Sequence, residues 1–282
     1  MATAEEPAPA VGESDGAGAR SDRTGAPSLL ALVRVVLHKQ VLLLVRYPVN
    51  TFSQFATIFA FFLAIFYGGQ AVAGAALTDS LDGLIVGFFL WTMAIVAYSG
   101  LSWNVTREAQ WGTLERLFMS PHGFGRVMTV KTAVNVLMSF LWGTLMLAFM
   151  MAVSGRVVTL DPVTILPLLL LTLGSVVGIG FAIAGLALLY KRVENLFQLV
   201  QFVFIGLIAA PVEGVPALRL LPMSHGSYLT GEAMAEGTAI WAMPAWELGL
   251  LLVTSTAYLL AGYACFQYAQ RRARRQGLLG QY

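Results

Sequence analysis

Six long apolar segments run through this chain of 282 residues, and they constrain its fold more than any other feature. A helix needs about twenty apolar residues to cross the hydrocarbon core of a bilayer. The segments are 51–72, 84–103, 132–153, 165–189, 196–212 and 246–266, of which the fifth is the shortest. Charged residues make up 11% of the chain, whereas soluble domains usually carry about 25%. The sequence therefore predicts an all-α membrane protein with six transmembrane helices.

The basic residues are distributed unevenly between the two sides of these spans. Fifteen of the seventeen Lys and Arg residues fall on one side, and only Arg156 and Arg219 fall on the other. Because Lys and Arg collect in cytoplasmic loops, this distribution predicts that both termini are cytoplasmic and that the number of spans is even. The expected location is the cytoplasmic membrane of a cell, with several passes.

Two segments before the first span have their own character. Residues 1–27 are rich in Ala, Gly, Pro, Ser and acids and lack periodicity, which predicts a disordered tail. The membrane domain is expected to occupy 28–275, and a short tail 276–282. Residues 28–47 predict an amphipathic helix in the cytoplasmic interface, ended by Pro48. Its apolar stripe is Leu30, Val33, Leu37, Val41 and Leu44. The alternative is a ragged cytoplasmic extension of the first span.

The segment 213–245 lies on the opposite side, before the last span. It is interrupted by Pro216, Pro222 and Pro244, yet about half of it is apolar. It is too broken to span a bilayer and too apolar for a free loop. Non-helical backbone at membrane depth must be buried in protein or line a cavity. We therefore predict a re-entrant or surface-lying pair of short helices.

The segment 107–121 separates the second and third spans and differs from the apolar chain around it. At helical spacing, Trp111, Leu114 and Phe118 share one face. Glu108 and Glu115 are two turns apart on another face, with Gly112 between them, and Ser120-Pro121 ends the helix. This pattern predicts a docking surface for a soluble partner. The alternative for Glu115 is a solvated acid that pairs with a local base such as Arg116.

Two patterns inside the spans allow a substrate path or simple packing. The first is an aromatic stripe on the first span, formed by Phe52, Phe55, Phe59, Phe62 and Phe66. The second is a set of amides on the fifth span, formed by Asn195, Gln198 and Gln201. Such amides either line a polar path or form hydrogen bonds between helices. In the fourth span, Gly174-x-x-x-Gly178 predicts close contact with another helix.

Several classes of function have no support in the sequence. The segment from Gly125 to Lys131-Thr132 lacks the second glycine of a phosphate loop, so we expect no nucleotide site here. Cys265 is the only cysteine, and the three histidines show no ligand spacing, which disfavours a metal or other cofactor. A net charge of +2 gives no indication of nucleic acid binding.

The segment between the second and third spans resembles the signature region of the type-2 ABC transporter permeases. This exporter family includes daunorubicin-resistance membrane subunits and permeases for polysaccharide or Nod-factor export. The matching residues are Glu108, Gly112-Thr113-Leu114-Glu115 and Ser120-Pro121. The six-span layout, the interfacial helix and the apolar outer segment are also similar to the family.

The resemblance implies that the chain is the membrane half of an exporter. It would form a homodimer, or pair with a similar permease, and each copy would dock one subunit that binds ATP and Mg. The residues implied to contact that subunit are Glu108, Trp111, Gly112, Thr113, Leu114, Glu115 and Arg116. The outer segment lacks the Asn of the family's Asn-Pro element, which leaves the substrate open among drugs, lipids and glycolipids. An ion-coupled transporter or channel, or a membrane-embedded enzyme, are the rival classes.

Overall fold

The structure is a computed structural model that describes residues 29–73, 81–110, 118–119, 123–190 and 193–276. Every regular element in these ranges is helical. The helices are α1 (Leu29–Arg46), α2 (Pro48–Ala73), α3 (Leu81–Gln110), α4 (Phe124–Ser154), α5 (Pro162–Leu189), α6 (Glu194–Ile208), α7 (Ser224–Gly231) and α8 (Ala245–Arg275). A 3-10 turn occupies Pro216–Leu220 and a π turn Glu232–Glu236. The predicted tails, apart from Gln276, lie outside the described residues.

Local chemistry explains where the long helices begin and end. The Asp161 carboxylate caps α5, accepting hydrogen bonds from the Val163 amide at 3.2 Å and the Thr164 hydroxyl at 2.6 Å. Pro162 follows at the first helical position, where its missing N–H is not needed. The C-terminal end of α4 is closed by Gly155, whose φ of 66° lies in the left-handed region that glycine adopts without steric cost.

Five helices, and not the predicted six, are long and apolar enough to cross a membrane: α2, α3, α4, α5 and α8. The predicted fifth span, 196–212, is the helix α6, which has 15 residues and ends at Ile208. At 1.5 Å per residue it is about 22 Å long, shorter than a hydrocarbon core of about 30 Å. Pro211 explains the early end, because proline removes an N–H and disfavours helix at the preceding residue.

Two central helices, α3 and α5, organise the bundle. α4 packs antiparallel to α3, and α8 packs parallel to α5. α6 lies against α3, where the buried Tyr98 hydroxyl donates to the Phe197 carbonyl. Nearby, the Trp91 indole N–H donates to the Gln201 carbonyl at 3.1 Å. The three helices α3, α4 and α8 extend about two turns past the predicted apolar spans, all at the end that carries the 107–121 segment.

The contact between α5 and α8 depends on small residues. A Cβ atom at Gly178 would overlap the backbone carbonyl of Tyr258, and one at Gly262 would overlap the carbonyl of Gly178. A Cβ atom at Gly174 would likewise overlap the Ser255 hydroxyl. The Gly174-x-x-x-Gly178 pattern therefore makes the helix contact predicted from the sequence, with the backbones of α5 and α8 nearly touching.

The chain between α6 and α8 dips into the bundle and returns. The Met223 amide, at the start of α7, donates to the Ser175 hydroxyl at 3.0 Å, halfway along α5. The Ser227 hydroxyl donates to the Ile208 carbonyl at the end of α6. Farther on, the Thr159 amide donates to the Met234 carbonyl at 2.8 Å, beside the start of α5. A re-entrant segment requires this path, which reaches mid-bundle and comes back to the same end.

The N-terminal helix α1 ends at Arg46, just before Pro48, as the sequence predicts. It packs loosely along α4, and none of its residues is fully buried. Its half-buried residues are Leu32, Val36, Leu37, Gln40 and Leu44. Of the predicted apolar stripe, only Leu37 and Leu44 belong to this face, and the other three are exposed. The face that packs is therefore offset from the predicted stripe.

Candidate functional site

The predicted docking segment lies between the ends of α3 and α4. Glu108 belongs to the last turns of α3, and Phe118 is described just before α4. The other residues expected to dock lie outside the described residues: Trp111, Gly112, Thr113, Leu114, Glu115 and Arg116. Their role stays a prediction. The structure does define the two points at which the segment is attached to the membrane domain.

The first attachment point is a buried ion pair between α3 and α4. The Lys131 ammonium group lies 3.1 Å from a Glu108 carboxylate oxygen, and the two side chains are only 10% and 14% exposed. Glu108 was expected on the face that contacts an ATPase subunit, and that role stays a prediction. In the structure its carboxylate pairs with Lys131, which also gives Glu108 a role in holding α3 and α4 together at this end.

The second attachment point is an aromatic stack. Phe118 and Phe124 lie nearly parallel, with ring centroids 4.1 Å apart and 12° between the planes. Phe124 in turn stacks on Phe266 of α8, with ring centroids 5.7 Å apart. The Phe181 ring of α5 lies on the same Phe266 ring, with centroids 5.5 Å apart. The Arg274 guanidinium lies over the Phe118 ring at 4.7 Å, within range of a cation–π interaction. The C-terminal end of the segment is thus fixed to α4 and α8.

Sequence reasoning placed Phe118 on the apolar face of the 107–121 segment but missed its partners. Phe124, Phe266 and Arg274 come from two other helices, and only the fold brings them together. One signal was available: aromatic and basic residues recur at the cytoplasmic ends of the predicted spans. That signal indicates an interfacial position, but it does not say which side chains meet.

The aromatic stripe of α2 packs mostly against its neighbours. Phe55 contacts Trp142 and Phe149 of α4, and Phe59 also contacts Phe149. Phe62 is fully buried against Phe88 of α3. Packing against α3 and α4 is therefore enough to explain the aromatic stripe. Phe55 and Phe59 are half-buried, and their contact with a substrate stays a prediction.

The amides of α6 lie elsewhere, so the structure does not join the two halves of the predicted path. Gln198 is exposed and Gln201 is half-buried on α6. Between α2, α3 and α6 lies an apolar cavity of about 520 Å³, lined by other residues that include Phe61, Trp91 and Ile205. This cavity was not expected from the sequence, because its lining comes from three helices.

A polar cluster anchors the re-entrant segment to the start of α8. The Arg219 guanidinium lies 3.3 Å from a Glu247 carboxylate oxygen and stacks over the Trp246 ring at 5.1 Å. A ring nitrogen of the buried His225 lies 3.0 Å from the Glu247 backbone carbonyl. The Tyr228 hydroxyl donates to Glu232 at 2.7 Å. Burial of Glu247 is therefore compensated by pairing, as a buried charge requires.

In the part of the chain that the structure describes, no three His, Cys, Asp or Glu residues lie close enough together to hold a metal ion. Comparison of the chain with protein-family models, with characterised proteins and with solved structures finds no match.

Proposed function

We propose that this chain is the membrane-spanning permease subunit of an ATP-driven exporter of the type-2 ABC transporter family. It moves a hydrophobic or amphipathic substrate, such as a drug, a lipid or a lipid-linked glycan, out of the cytoplasm. A separate subunit, docked on the 107–121 segment, binds and hydrolyses ATP with Mg. The permease acts as a homodimer or with a similar permease. Both termini are cytoplasmic, because the short α6 carries the chain back to the outer side between the parallel helices α5 and α8, and the chain between α6 and α8 is a re-entrant segment there.

One observation supports the proposal beyond the resemblance: the 107–121 segment is attached to the bundle at both of its ends. Glu108 ties its start to Lys131 of α4, and Phe118 ties its end to Phe124 of α4 and, through Phe124, to α8. A partner that pulls on the segment therefore acts on α3, α4 and α8 together. For coupling to occur, the segment must interact differently with the two states of the partner.

The second candidate function is an ion-coupled secondary transporter or a channel. Ion pathways in membranes usually contain acidic, basic or histidine side chains in the interior. Among the described residues, the buried side chains of this kind are Lys131, His225 and Glu247. Lys131 and Glu247 are each ion-paired near a helix end, and His225 adjoins Glu247. A continuous relay through the bundle has no other buried member in this part of the chain, which favours the exporter.

The direct test changes the docking segment while the membrane domain stays intact. We expect Glu115→Ala and Gly112→Trp to weaken association with the co-purifying ATPase subunit, or to uncouple ATP hydrolysis from transport. A partner contact through Glu115 involves charge-assisted hydrogen bonds, and the tryptophan fills the space beside it. The measurement is co-purification of the two subunits, with ATPase activity and export measured in proteoliposomes.

Glu236→Ala is the control, because it removes one exposed acid that lies outside the docking segment, at the other end of the bundle. If Glu115 is only a solvated acid paired with Arg116, a pair of this kind is worth about 0–1 kcal/mol, and neither Glu115→Ala nor Gly112→Trp has much effect. Wild-type transport and wild-type ATPase association in both Glu115→Ala and Gly112→Trp would refute the docking assignment.

The proposed orientation is tested by cysteine labelling in a Cys265→Ser background. We expect a cysteine at the exposed Glu236 to react with an impermeant maleimide from outside intact cells. Cysteines at Gly112 and at the exposed Arg275 should react only after permeabilisation, because the basic residues favour the cytoplasmic side there. External labelling of Gly112 would reverse the orientation and leave the ATPase without access to the segment.

A further inference from the structure

An arginine-lined cavity lies at the junction of α4 and α8, next to the aromatic stack. Its volume is about 370 Å³. Polar and basic side chains dominate its lining: Arg126 from α4, and Tyr263, Gln267, Gln270, Arg271 and Arg274 from α8. The cavity also includes Gly123 and Phe124 at the start of α4. We propose that this cavity binds the phosphate group of an anionic phospholipid of the inner leaflet.

No carboxylate in the described part of the chain forms an ion pair with the arginines of the cavity. In the part of the chain that the structure describes, the acidic partners in ion pairs are Asp82, Glu108 and Glu247, and none of them pairs with Arg126, Arg271 or Arg274. Arginine presents a planar fork of donors that fits phosphate oxygens. Gln267 and Gln270 add amide donors, and a helix start such as that of α4 favours an anion.

The position of the cavity favours a lipid over a soluble anion. The last predicted span ends at residue 266, and the cavity is lined by Tyr263 before that point and by Gln267 to Arg274 after it. The Tyr263 side of the cavity therefore borders the apolar zone. Val253 and Leu260 lie on the same face of α8 as Gln267 and Arg274, at intervals of seven residues, and are 65% and 63% exposed. A headgroup in the cavity would leave its acyl chains beside these side chains.

The proposal rests on the proposed orientation, which places this end of α8 at the inner leaflet, but it does not depend on the exporter assignment. The test uses the full-length chain purified in detergent. Binding of phosphatidylglycerol is measured by native mass spectrometry and compared with phosphatidylcholine of the same chain length and with inorganic phosphate. We expect phosphatidylglycerol to bind more tightly than either competitor, because only it combines a net negative phosphate with acyl chains.

A charge-matched pair of variants separates the cavity from general surface charge. Arg126→Gln with Arg271→Gln removes two cavity arginines, one from each helix. Arg272→Gln with Arg275→Gln removes two exposed arginines of the same helix end that do not line the cavity. Each basic side chain near an anionic headgroup contributes roughly a fivefold change in affinity, so the cavity variant should bind phosphatidylglycerol about tenfold or more weakly. The control variant should bind almost normally.

Three results would overturn the proposal. Equal loss in both double variants would mean diffuse attraction between the basic helix end and the lipid. Inorganic phosphate that binds as tightly as phosphatidylglycerol would exclude the lipid as the source of the phosphate. Normal lipid binding by the cavity variant, together with lost association with an ATPase subunit, would identify the cavity as a protein docking site. The elution volume and the thermal stability of both variants are measured as well, and values equal to those of the wild type would exclude misfolding as the cause of a loss of binding.

Discussion

Gly262→Ala is expected to destabilise the protein, although the same change elsewhere in α8 should not. A Cβ atom at residue 262 would overlap the carbonyl of Gly178 in α5. Backbone atoms of a packed helix cannot move aside like the end of a side chain. Overpacking of this kind typically costs about 1–3 kcal/mol, and we expect a value near 3. For a chain of this size, that corresponds to a decrease of roughly 6–12 °C in the melting temperature.

Gly249→Ala is the matched control, because it lies in the same helix and a Cβ atom there meets nothing within 4 Å. Alanine favours helix over glycine by up to about 1 kcal/mol, so this variant should be unchanged or slightly more stable. The two variants therefore shift the melting temperature by different amounts and in different directions. Thermal unfolding of the purified full-length chain in detergent measures both. Equal stability of the two variants would contradict the close approach of α5 and α8.

The sequence predicts well those features that each helix carries within itself. The five long helices coincide with apolar segments, because the cost of unpaired backbone in lipid requires helix there. The Gly174-x-x-x-Gly178 pattern also correctly indicates a helix contact, because two small residues about one turn apart let another helix approach closely. Asp161-Pro162 begins α5 and Gly155 ends α4, which are the positions that the backbone preferences of these residues favour.

Features that depend on the contact between two helices could not be predicted from the sequence. Glu108 and Lys131 are 23 residues apart, and Arg219 and Glu247 are 28 apart, so their pairing follows from how the helices pack. The stripe on α1 predicted the wrong face, because periodicity shows which residues are apolar and not which neighbour they meet. The fifth span was overestimated because its apolar run continues past Ile208, whereas Pro211 ends the helix.

Breaking the pair between Glu108 and Lys131 is expected to have the second large effect. Both side chains are mostly buried, and a buried charge that loses its only partner costs about 3–5 kcal/mol. Glu108→Gln takes the carboxylate away from the Lys131 ammonium group and should lower the melting temperature markedly. Lys131→Met removes one of the interactions of Glu108 and should lower it as well. Replacing both partners removes the unpaired charge, so the double variant should recover much of the lost stability. The non-additivity of this cycle is the measured quantity.

The opposite end of the same two helices supplies the control. Asp82 of α3 lies 3.9 Å from Arg156, which follows α4, and both side chains are more than 30% exposed. An exposed pair is worth about 0–1 kcal/mol, so Asp82→Asn should change the melting temperature little. A decrease as large as that of Glu108→Gln would mean that any charge lost from α3 is costly, and burial at the Glu108 end would then lose its special role.

The double variant Glu108→Gln/Lys131→Met also separates two roles for Glu108. If Glu108 holds α3 to α4, a folded double variant has lost that tie, and it should still bind the proposed ATPase subunit through the rest of the 107–121 segment. If Glu108 instead contacts the subunit directly, the double variant should be stable but fail to bind it. The ion pair of 3.1 Å leads us to expect retained association with weakened coupling between ATP hydrolysis and transport. The ion pair between Glu108 and Lys131 connects α3 and α4, so its loss can weaken coupling while the rest of the docking segment still binds the partner.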